Sequence, residues 1–187
     1  MDPDRELVDR AFAGELAAFE TLVERHRDVV FRVAARVVGP DEAEDVCQDA
    51  FLRAFHRLPS FRREAPFRAW LLRITHNAAL NHLARRRPEP VEPVEGLVDE
   101  SDADGVRTPV ERLEGRERRE RLEGKVRLLQ PAHRAVLVLR DIEGLTYEEI
   151  ADVTQTPLGS VKGRLHRARA ELIELLRRNT YDWELPA

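Results

Sequence analysis

The sequence predicts an all-α fold in which an acidic, flexible linker joins two small helical domains. Apolar residues recur at intervals of three and four through most of the 187 residues, as on one face of a helix. Charged residues make up 35% of the chain, and a high charge content with helical periodicity is typical of all-α proteins. Between residues 88 and 110 the periodicity is lost, and prolines and carboxylates replace it.

Four helices are predicted within the first 87 residues. Their ranges are 3–13, 15–38, 41–58 and 67–86. Gly39 and Pro40 end the second helix, as this pair commonly does, and Asp41 is the expected N-cap of the third. Phe12 and Leu16 continue the apolar spacing of the first two helices, so they are expected in the core.

The third predicted helix has a polar outer face that contains one leucine. Its outward residues are Asp45, Gln48, Asp49, Leu52 and His56. A single exposed leucine is common and needs no explanation. An apolar side chain among carboxylates could equally anchor a basic partner helix, and the sequence leaves both interpretations open.

Basic and aromatic residues are concentrated in the loop at 59–66 and in the fourth helix. Residues 62–87 contain seven arginines and one glutamate. Arginines that follow phosphates, beside aromatic side chains, are typical of proteins that bind single-stranded nucleic acid. Phe67 and Trp70 also fit the core face of the helix, so Phe61 is the aromatic residue expected to be exposed. The outward face of the helix is expected to contain Arg73, His76, Asn77 and Leu80.

The negative charge of the chain lies in the predicted linker. The whole chain has a net charge of −4, whereas residues 88–110 contain seven acidic residues and one basic residue, Arg107. The segments on either side therefore each carry a slight positive charge. We predict an N-terminal domain at 1–87, a linker at 88–110, a C-terminal domain at 111–178 and a tail at 179–187.

The C-terminal domain is expected to end in a helix-turn-helix motif. Two helices precede it, at about 110–129 and 132–140, and a turn at 141–144 leads into it. Thr146 and Glu149 have the spacing of a capping box, and Leu145 and Ile150 that of a hydrophobic staple. Thr156 is the expected N-cap of the last helix, which would continue to about Arg178.

The last helix has an apolar face and a basic face. The apolar stripe consists of Leu158, Val161, Leu165, Ala168 and Leu172. Gly159 and Gly163 lie on the opposite face, among arginines and a lysine, where they would let a bulky partner approach closely. Such a face on the second helix of the motif suits the DNA major groove, whereas a solvated helical hairpin is the plainer interpretation.

Several functional classes find no support in the sequence. There is no Gly-rich phosphate loop, no nucleophile motif and no metal-binding spacing among the six histidines, so we expect no catalytic, cofactor or metal site and histidines on the surface. The single cysteine, Cys47, excludes an internal disulfide and indicates a reducing cytoplasm. No apolar run is long enough to insert into a membrane, and the charged N-terminus is unlike a secretory signal.

Taken together, these motifs resemble the extracytoplasmic-function (ECF) sigma factors, a class of bacterial promoter-recognition subunits in the sigma-70 family. Residues 43–62, AEDVCQDAFLRAFHRLPSFR, resemble the helix that docks on the polymerase and its following loop. Residues 67–87, FRAWLLRITHNAALNHLARRR, resemble the helix that meets the −10 element. Residues 129–172 resemble the domain that binds the −35 element.

The resemblance implies partners and site residues. Core RNA polymerase would be bound by Asp45, Gln48, Asp49 and Leu52. The −10 element, with a base flipped from the non-template strand, would be held by Ser60, Phe61, Arg62, Arg63, Arg73, His76 and Asn77. The −35 element would be bound by Ser160, Lys162, Gly163, Arg164 and Arg167. The linker would run near the RNA exit path, and an anti-sigma factor would hold the protein inactive.

Cys47 departs from the aliphatic residue that the family pattern leads us to expect, and we interpret it as a small buried apolar residue.

Two other functions compete with that of a sigma factor. A stand-alone helix-turn-helix regulator would explain residues 129–178 but not the basic aromatic block at 61–87. An RNA-binding protein would explain that block but not the caps at 146–169.

Overall fold

The computed structural model describes residues 3–85 and 109–178, which form eight α-helices. In the N-terminal half these are α1 (Arg5–Phe12), α2 (Leu16–Val38), α3 (Pro40–Arg57) and α4 (Phe67–Arg85). In the C-terminal half they are α5 (Pro109–Leu128), α6 (Pro131–Leu137), α7 (Tyr147–Thr154) and α8 (Leu158–Arg177). A 3₁₀ turn, Leu58–Ser60, follows α3, and a π-helical turn, Val138–Ile142, extends α6. The prediction of an all-α fold is confirmed.

Helix α4 is buried on more than one side. It packs against α2 and α3 of its own half and against α7 of the other half. Of the two aromatic residues that fit its predicted core face, Phe67 is buried and Trp70 is partly buried. Its other buried residues include Leu72, Thr75, His76 and Ala79. The helices of the two halves therefore share one continuous core, to which Leu22, Leu71, Ile150 and Leu165 all contribute.

The helix-turn-helix begins with the predicted capping box. The hydroxyl of Thr146 accepts a hydrogen bond from the Glu149 amide at 3.2 Å, and the Glu149 carboxylate accepts one from the Thr146 amide at 2.8 Å. Leu145 and Ile150, the predicted staple, are both buried. Gln155 ends α7 with a φ of 53°, a left-handed conformation that turns the chain toward α8.

Two predicted caps are wrong. Helix α3 begins at Pro40 rather than after Asp41, because proline suits the first helical position and Gly39 (φ 105°) can make the sharp turn before it. Thr156 does not cap α8, since its hydroxyl pairs with the Thr154 hydroxyl at 2.8 Å and the helix starts at Leu158.

Three predictions of burial are also wrong. Phe12 and Leu16, expected in the core, are 49% and 57% exposed. The histidines were expected on the surface, but His26 and His76 are buried. The His26 ring meets the buried Asp4 carboxylate at 2.7 Å, which provides the polar partner that a buried imidazole needs.

The predicted linker, apart from its last two residues, and the tail at 179–187 lie outside the described residues. Among the helices that are described, none is long and apolar enough to cross a membrane.

We expect Thr146→Ala to lower the free energy of unfolding by about 1 kcal/mol, because it removes the cap of α7. Urea denaturation measures the change. Thr21→Ala is the matched control, since the Thr21 hydroxyl bonds only back to the Ala17 carbonyl within α2 and alanine favours helix. An equal loss in both variants would contradict the importance of the cap.

Candidate protein and nucleic-acid interfaces

The outer surface of α3 carries the four residues predicted to bind a partner protein. We call this surface the docking face, and it consists of Asp45, Gln48, Asp49 and Leu52. Asp45 and Gln48 are exposed, and the Asp49 carboxylate accepts a hydrogen bond from Arg53 Nε at 2.7 Å. Leu52 is 58% exposed. The prediction that these residues face outward is confirmed, whereas their role stays a prediction.

An apolar groove lies near the carboxyl end of this face. It has a volume of about 340 Å³ and runs between the α1–α2 corner and the end of α3. Its lining includes Phe12, Leu16, Phe19, Phe55 and His56. Phe55 is partly exposed and packs edge-on against Phe19, with ring centroids 5.1 Å apart. Leu52 is not part of this lining, but it lies one helical turn before the lining residue His56.

The loop between α3 and α4 is held at both ends of its basic segment. Ser60 Oγ donates a hydrogen bond to the Arg57 carbonyl at 2.7 Å. Arg63 has a φ of 60°, an uncommon conformation for a residue other than glycine. Its guanidinium pairs with Asp9 at 2.6 Å and lies 5.0 Å from the centroid of the Phe12 ring. The side chains of Arg62 and Arg63 both reach solvent.

Phe61 is buried, so the prediction that it is the exposed aromatic residue is wrong. Its ring centroid lies 4.8 Å from that of Trp70 and 6.0 Å from that of Phe67. The three rings form a cluster that fixes the loop to the start of α4. Phe61 therefore positions the basic loop and does not present a free ring for stacking on a base.

The predicted DNA-binding face of α4 is only partly accessible. Arg73 and Asn77 are exposed, but His76 is 5% exposed and lies near Arg164 of α8. Burial, with a smaller contribution from the positive charge of Arg164, lowers the pKa of His76 to about 4. The imidazole is therefore neutral at physiological pH.

The basic face of α8 is accessible along most of its length. Ser160, Lys162 and Arg167 are exposed, and Gly163 and Arg164 are partly exposed. A Cβ atom added at Gly163 would meet only the end of the Arg167 side chain, at 3.6 Å. There is thus room for a side chain in the free protein, and the glycine is not required by packing.

Two basic side chains lie close to the ring of Tyr147 at the edge of this face. The Arg140 guanidinium lies 4.8 Å and the Lys162 ammonium 5.8 Å from its ring centroid. Both distances are within the range of cation–π attraction. Sequence reasoning missed this arrangement, because Arg140 precedes the motif and is brought to it by the π-helical turn.

Cys47 is buried, which confirms its interpretation as a small apolar residue. Burial raises the pKa of its thiol to about 12, and the nearby Glu44 carboxylate acts in the same direction. The thiol therefore stays protonated and unreactive. Within 3–85 and 109–178, no group of three or more histidine, cysteine or acidic side chains could hold a metal ion.

These features define a two-part helical protein with a helix-turn-helix in its second part. Two family models match it in chain order: Sigma-70 region 2 over residues 22–89, and Sigma-70, region 4 over residues 119–172. The two matches fall on the helices that carry the docking face and on the helix-turn-helix.

Individual relatives agree with the family models. The RNA polymerase sigma-H factor of Pseudomonas aeruginosa is 38% identical over 90 residues, which cover 48% of this chain and 47% of that protein. The ECF RNA polymerase sigma-E factor of Escherichia coli K12 is 37% identical over 103 residues, 54% of each chain. The chain thus spans about half the length of the curated relatives it matches.

A solved structure extends the likeness to nearly the whole chain. The structure of CnrH in complex with the cytosolic domain of CnrY matches with 33% identity and a TM-score of 0.67. The match covers 95% of this chain and 99% of CnrH as solved. The chain belongs to the sigma-70 family, in the group of extracytoplasmic-function sigma factors.

The burial of His76 predicts a pH dependence of stability. The unfolded chain binds a proton at His76 below about pH 6.5, whereas the folded chain does so only near pH 4. Protonation of the unfolded chain therefore lowers the free energy of unfolding as the pH falls from about 6.5 toward 4. Above about pH 6.5 neither state is protonated at His76, and this loss is absent. Between about pH 7 and pH 4.5 this group should account for a loss on the order of 2 kcal/mol.

Urea denaturation across this pH range checks the prediction, with His76→Leu as the comparison. Subtracting the two curves removes the contribution of the other titrating groups. The difference in unfolding free energy between the proteins should change with pH in the stated direction. A constant difference would show that His76 is not buried as a neutral imidazole.

Proposed function

We propose that the chain is a bacterial ECF sigma factor that binds core RNA polymerase and directs promoter recognition and transcription initiation. The observation that carries this proposal is the match of region 2 and region 4 to the two halves, in that order. In this role the protein is a DNA-recognition subunit in the cytoplasm and not an enzyme.

The docking face is the proposed binding site for the polymerase. Leu52 offers an apolar anchor, and Asp45 and Asp49 surround it with negative charge. This combination suits a helix with an apolar residue among basic ones, such as the clamp helices of the largest subunit. The adjoining groove lined by Phe12 and Phe55 enlarges the apolar surface available to that partner.

The −10 element is proposed to bind along the loop and α4. Arg62, Arg63 and Arg73 are accessible to phosphates, and Asn77 to base edges. Ser60 lies in the loop expected to hold a flipped base, while Phe61 supports that loop from the core. His76 is buried, so it could contact DNA only after a change in the packing around α4.

The −35 element is proposed to bind α8. Lys162, Arg164 and Arg167 supply donors for phosphates and guanine edges, and Ser160 supplies a hydroxyl near the helix start. Because Gly163 has no side chain, the middle of this face allows the helix backbone to lie close to the base edges in the major groove.

We also propose that the two halves of the chain bind different partners. Residues 1–87 would bind polymerase and the −10 element, and residues 111–178 would bind the −35 element. The acidic linker at 88–110 would run near the RNA exit path. CnrH was solved with the cytosolic domain of another protein, CnrY, which supports a protein regulator such as an anti-sigma factor for this chain as well.

A stand-alone helix-turn-helix regulator is the alternative, and the region 2 match across 22–89 disfavours it. Mobility-shift and strand-opening assays on promoter DNA separate the two functions. A sigma factor should bind weakly alone and open the duplex only with core polymerase. Tight, specific binding to duplex DNA by the isolated chain would support the regulator instead.

We expect Leu52→Asp to reduce association with core polymerase at least tenfold, because it places a charge at the centre of the apolar contact. Surface plasmon resonance with immobilised core enzyme measures the affinity. Ile173→Asp is the control, since Ile173 is also partly exposed but lies on α8. Retained binding by the Leu52 variant with unchanged circular dichroism would remove the docking assignment.

We expect Gly163→Glu to weaken promoter recognition by holoenzyme at least tenfold, since a carboxylate would face DNA phosphates. Holoenzyme binding to promoter fragments measures this loss. Gly124→Glu makes the same change on α5, where no atom lies within 4 Å of the added Cβ, so it should leave binding intact. Equal promoter binding by both variants would contradict the role of the α8 face.

A further inference from the structure

The first helix contacts the loop that is proposed to bind the −10 element. Helix α1 lies outside the match to Sigma-70 region 2, which begins at residue 22. The Asp9 carboxylate of α1 nevertheless pairs with the Arg63 guanidinium of the loop at 2.6 Å. The same guanidinium lies 5.0 Å from the centroid of the Phe12 ring, at the end of α1. Two side chains of α1 therefore hold one residue of the loop.

The backbone of Arg63 depends on contacts of this kind. Its φ of 60° lies in the left-handed region, which a residue other than glycine keeps only where its surroundings impose it. Asp9 and Arg63 are both nearly half exposed, and an exposed ion pair adds little to the stability of a whole fold. Combined with the attraction of the guanidinium to the Phe12 ring, however, the pair can select one conformation of a short loop.

Helix α1 is a rigid base for this contact because it is fixed at both ends. At its start, the Asp4 carboxylate accepts a hydrogen bond from Arg25 Nη1 at 2.6 Å and meets the His26 ring at 2.7 Å. At its other end, Arg10 Nε donates to the Glu15 carboxylate at 2.8 Å. The helix also packs along α2 between these points. Asp9 therefore projects from a fixed helix, and the loop adjusts to it.

A cavity of about 370 Å³ lies between α1 and the loop. Its lining includes Arg5 and Val8 of α1 on one side and Phe61 and Glu64 of the loop on the other. Its volume is in the range of sites that bind small molecules or parts of larger ones. Because the pair of Asp9 and Arg63 joins the same two elements, it sets how far the loop lies from the helix.

We propose that α1 is part of the −10 site and that Asp9 is a positioning residue, which holds the loop through Arg63 in the conformation that receives an unpaired base. Asp9 itself touches no DNA in this role. The inference rests on the proposed function for the identity of the ligand, whereas the contact between α1 and the loop can be tested without DNA or polymerase.

The sign of the effect on DNA binding separates this role from simple electrostatics. A carboxylate near DNA repels the phosphates, so removing it would by itself strengthen binding. A positioning residue gives the opposite result, because a loop that samples several conformations binds less tightly than one already held in the right conformation. Loss of the Asp9 charge should therefore weaken binding to the −10 element.

The first test measures the mobility of the loop in the free, full-length chain. Asp9→Asn removes the charge with little change in size. The NMR order parameters of the backbone amides at 62–65 should fall by at least about 0.1, with circular dichroism unchanged. Glu6→Gln is the matched control, because Glu6 is exposed on the same helix and does not line the cavity. Unchanged order parameters in the Asp9 variant, or an equal fall in the Glu6 control, would overturn the proposal.

The second test measures binding by the holoenzyme. The probe is a fluorescein-labelled forked promoter fragment whose non-template strand is single-stranded at the −10 element, and anisotropy gives the affinity. Asp9→Asn should weaken binding by at least about threefold, while its affinity for core polymerase and the binding of the Glu6→Gln protein stay within about twofold of wild type. Equal or tighter binding of the fragment by the Asp9 variant would overturn the positioning role.

A double-mutant cycle tests whether Asp9 acts through Arg63. Arg63→Gln should itself weaken binding of the forked fragment. Adding Asp9→Asn to it should cause no further loss, since the partner of the carboxylate is already absent. Losses that simply add would overturn the route through Arg63. Failure of the wild-type holoenzyme to bind any promoter fragment would count against the proposed function, and the order parameters would still decide whether Asp9 holds the loop.

Discussion

The packing of helix α4 between two sets of helices is the constraint on which the other features of this structure depend. It packs against α2 and α3 and also against α7, and its buried positions include Leu72 and Ala79 beside the predicted core residue Phe67. This packing forms one core from both halves and places His76 out of solvent. It also fixes where the aromatic cluster around Phe61 holds the basic loop.

The two boundaries of α4 differ in chemistry. Within the N-terminal half, the contacts include aromatic rings and aliphatic side chains, which favour a permanent core. Between the halves, the carboxylate of Glu143 pairs with Arg32 of α2 and Arg68 of α4, so charged contacts form part of this boundary.

The sequence predicted local features well, because residues three or four apart determine them. The capping box of Thr146 and Glu149 and the apolar stripe of α8 are of this kind. Contacts between distant segments could not be read in the same way. Phe12 has the spacing of a core residue but lies exposed, and His76 has the spacing of a surface residue but is buried. The arginines that pair with Glu143, Arg32 and Arg68, are 111 and 75 residues away in sequence. The outward face of α3 could be predicted, whereas the groove beside it depends on how α1 meets α3.

Run-off transcription with purified core polymerase tests the central claim most directly. Templates should carry promoters chosen by mapping transcription start sites after overexpression of this protein. The account predicts defined transcripts only when core enzyme and this protein are both present, and their loss with the Leu52→Asp protein. Transcription from these templates that does not depend on this protein would contradict it.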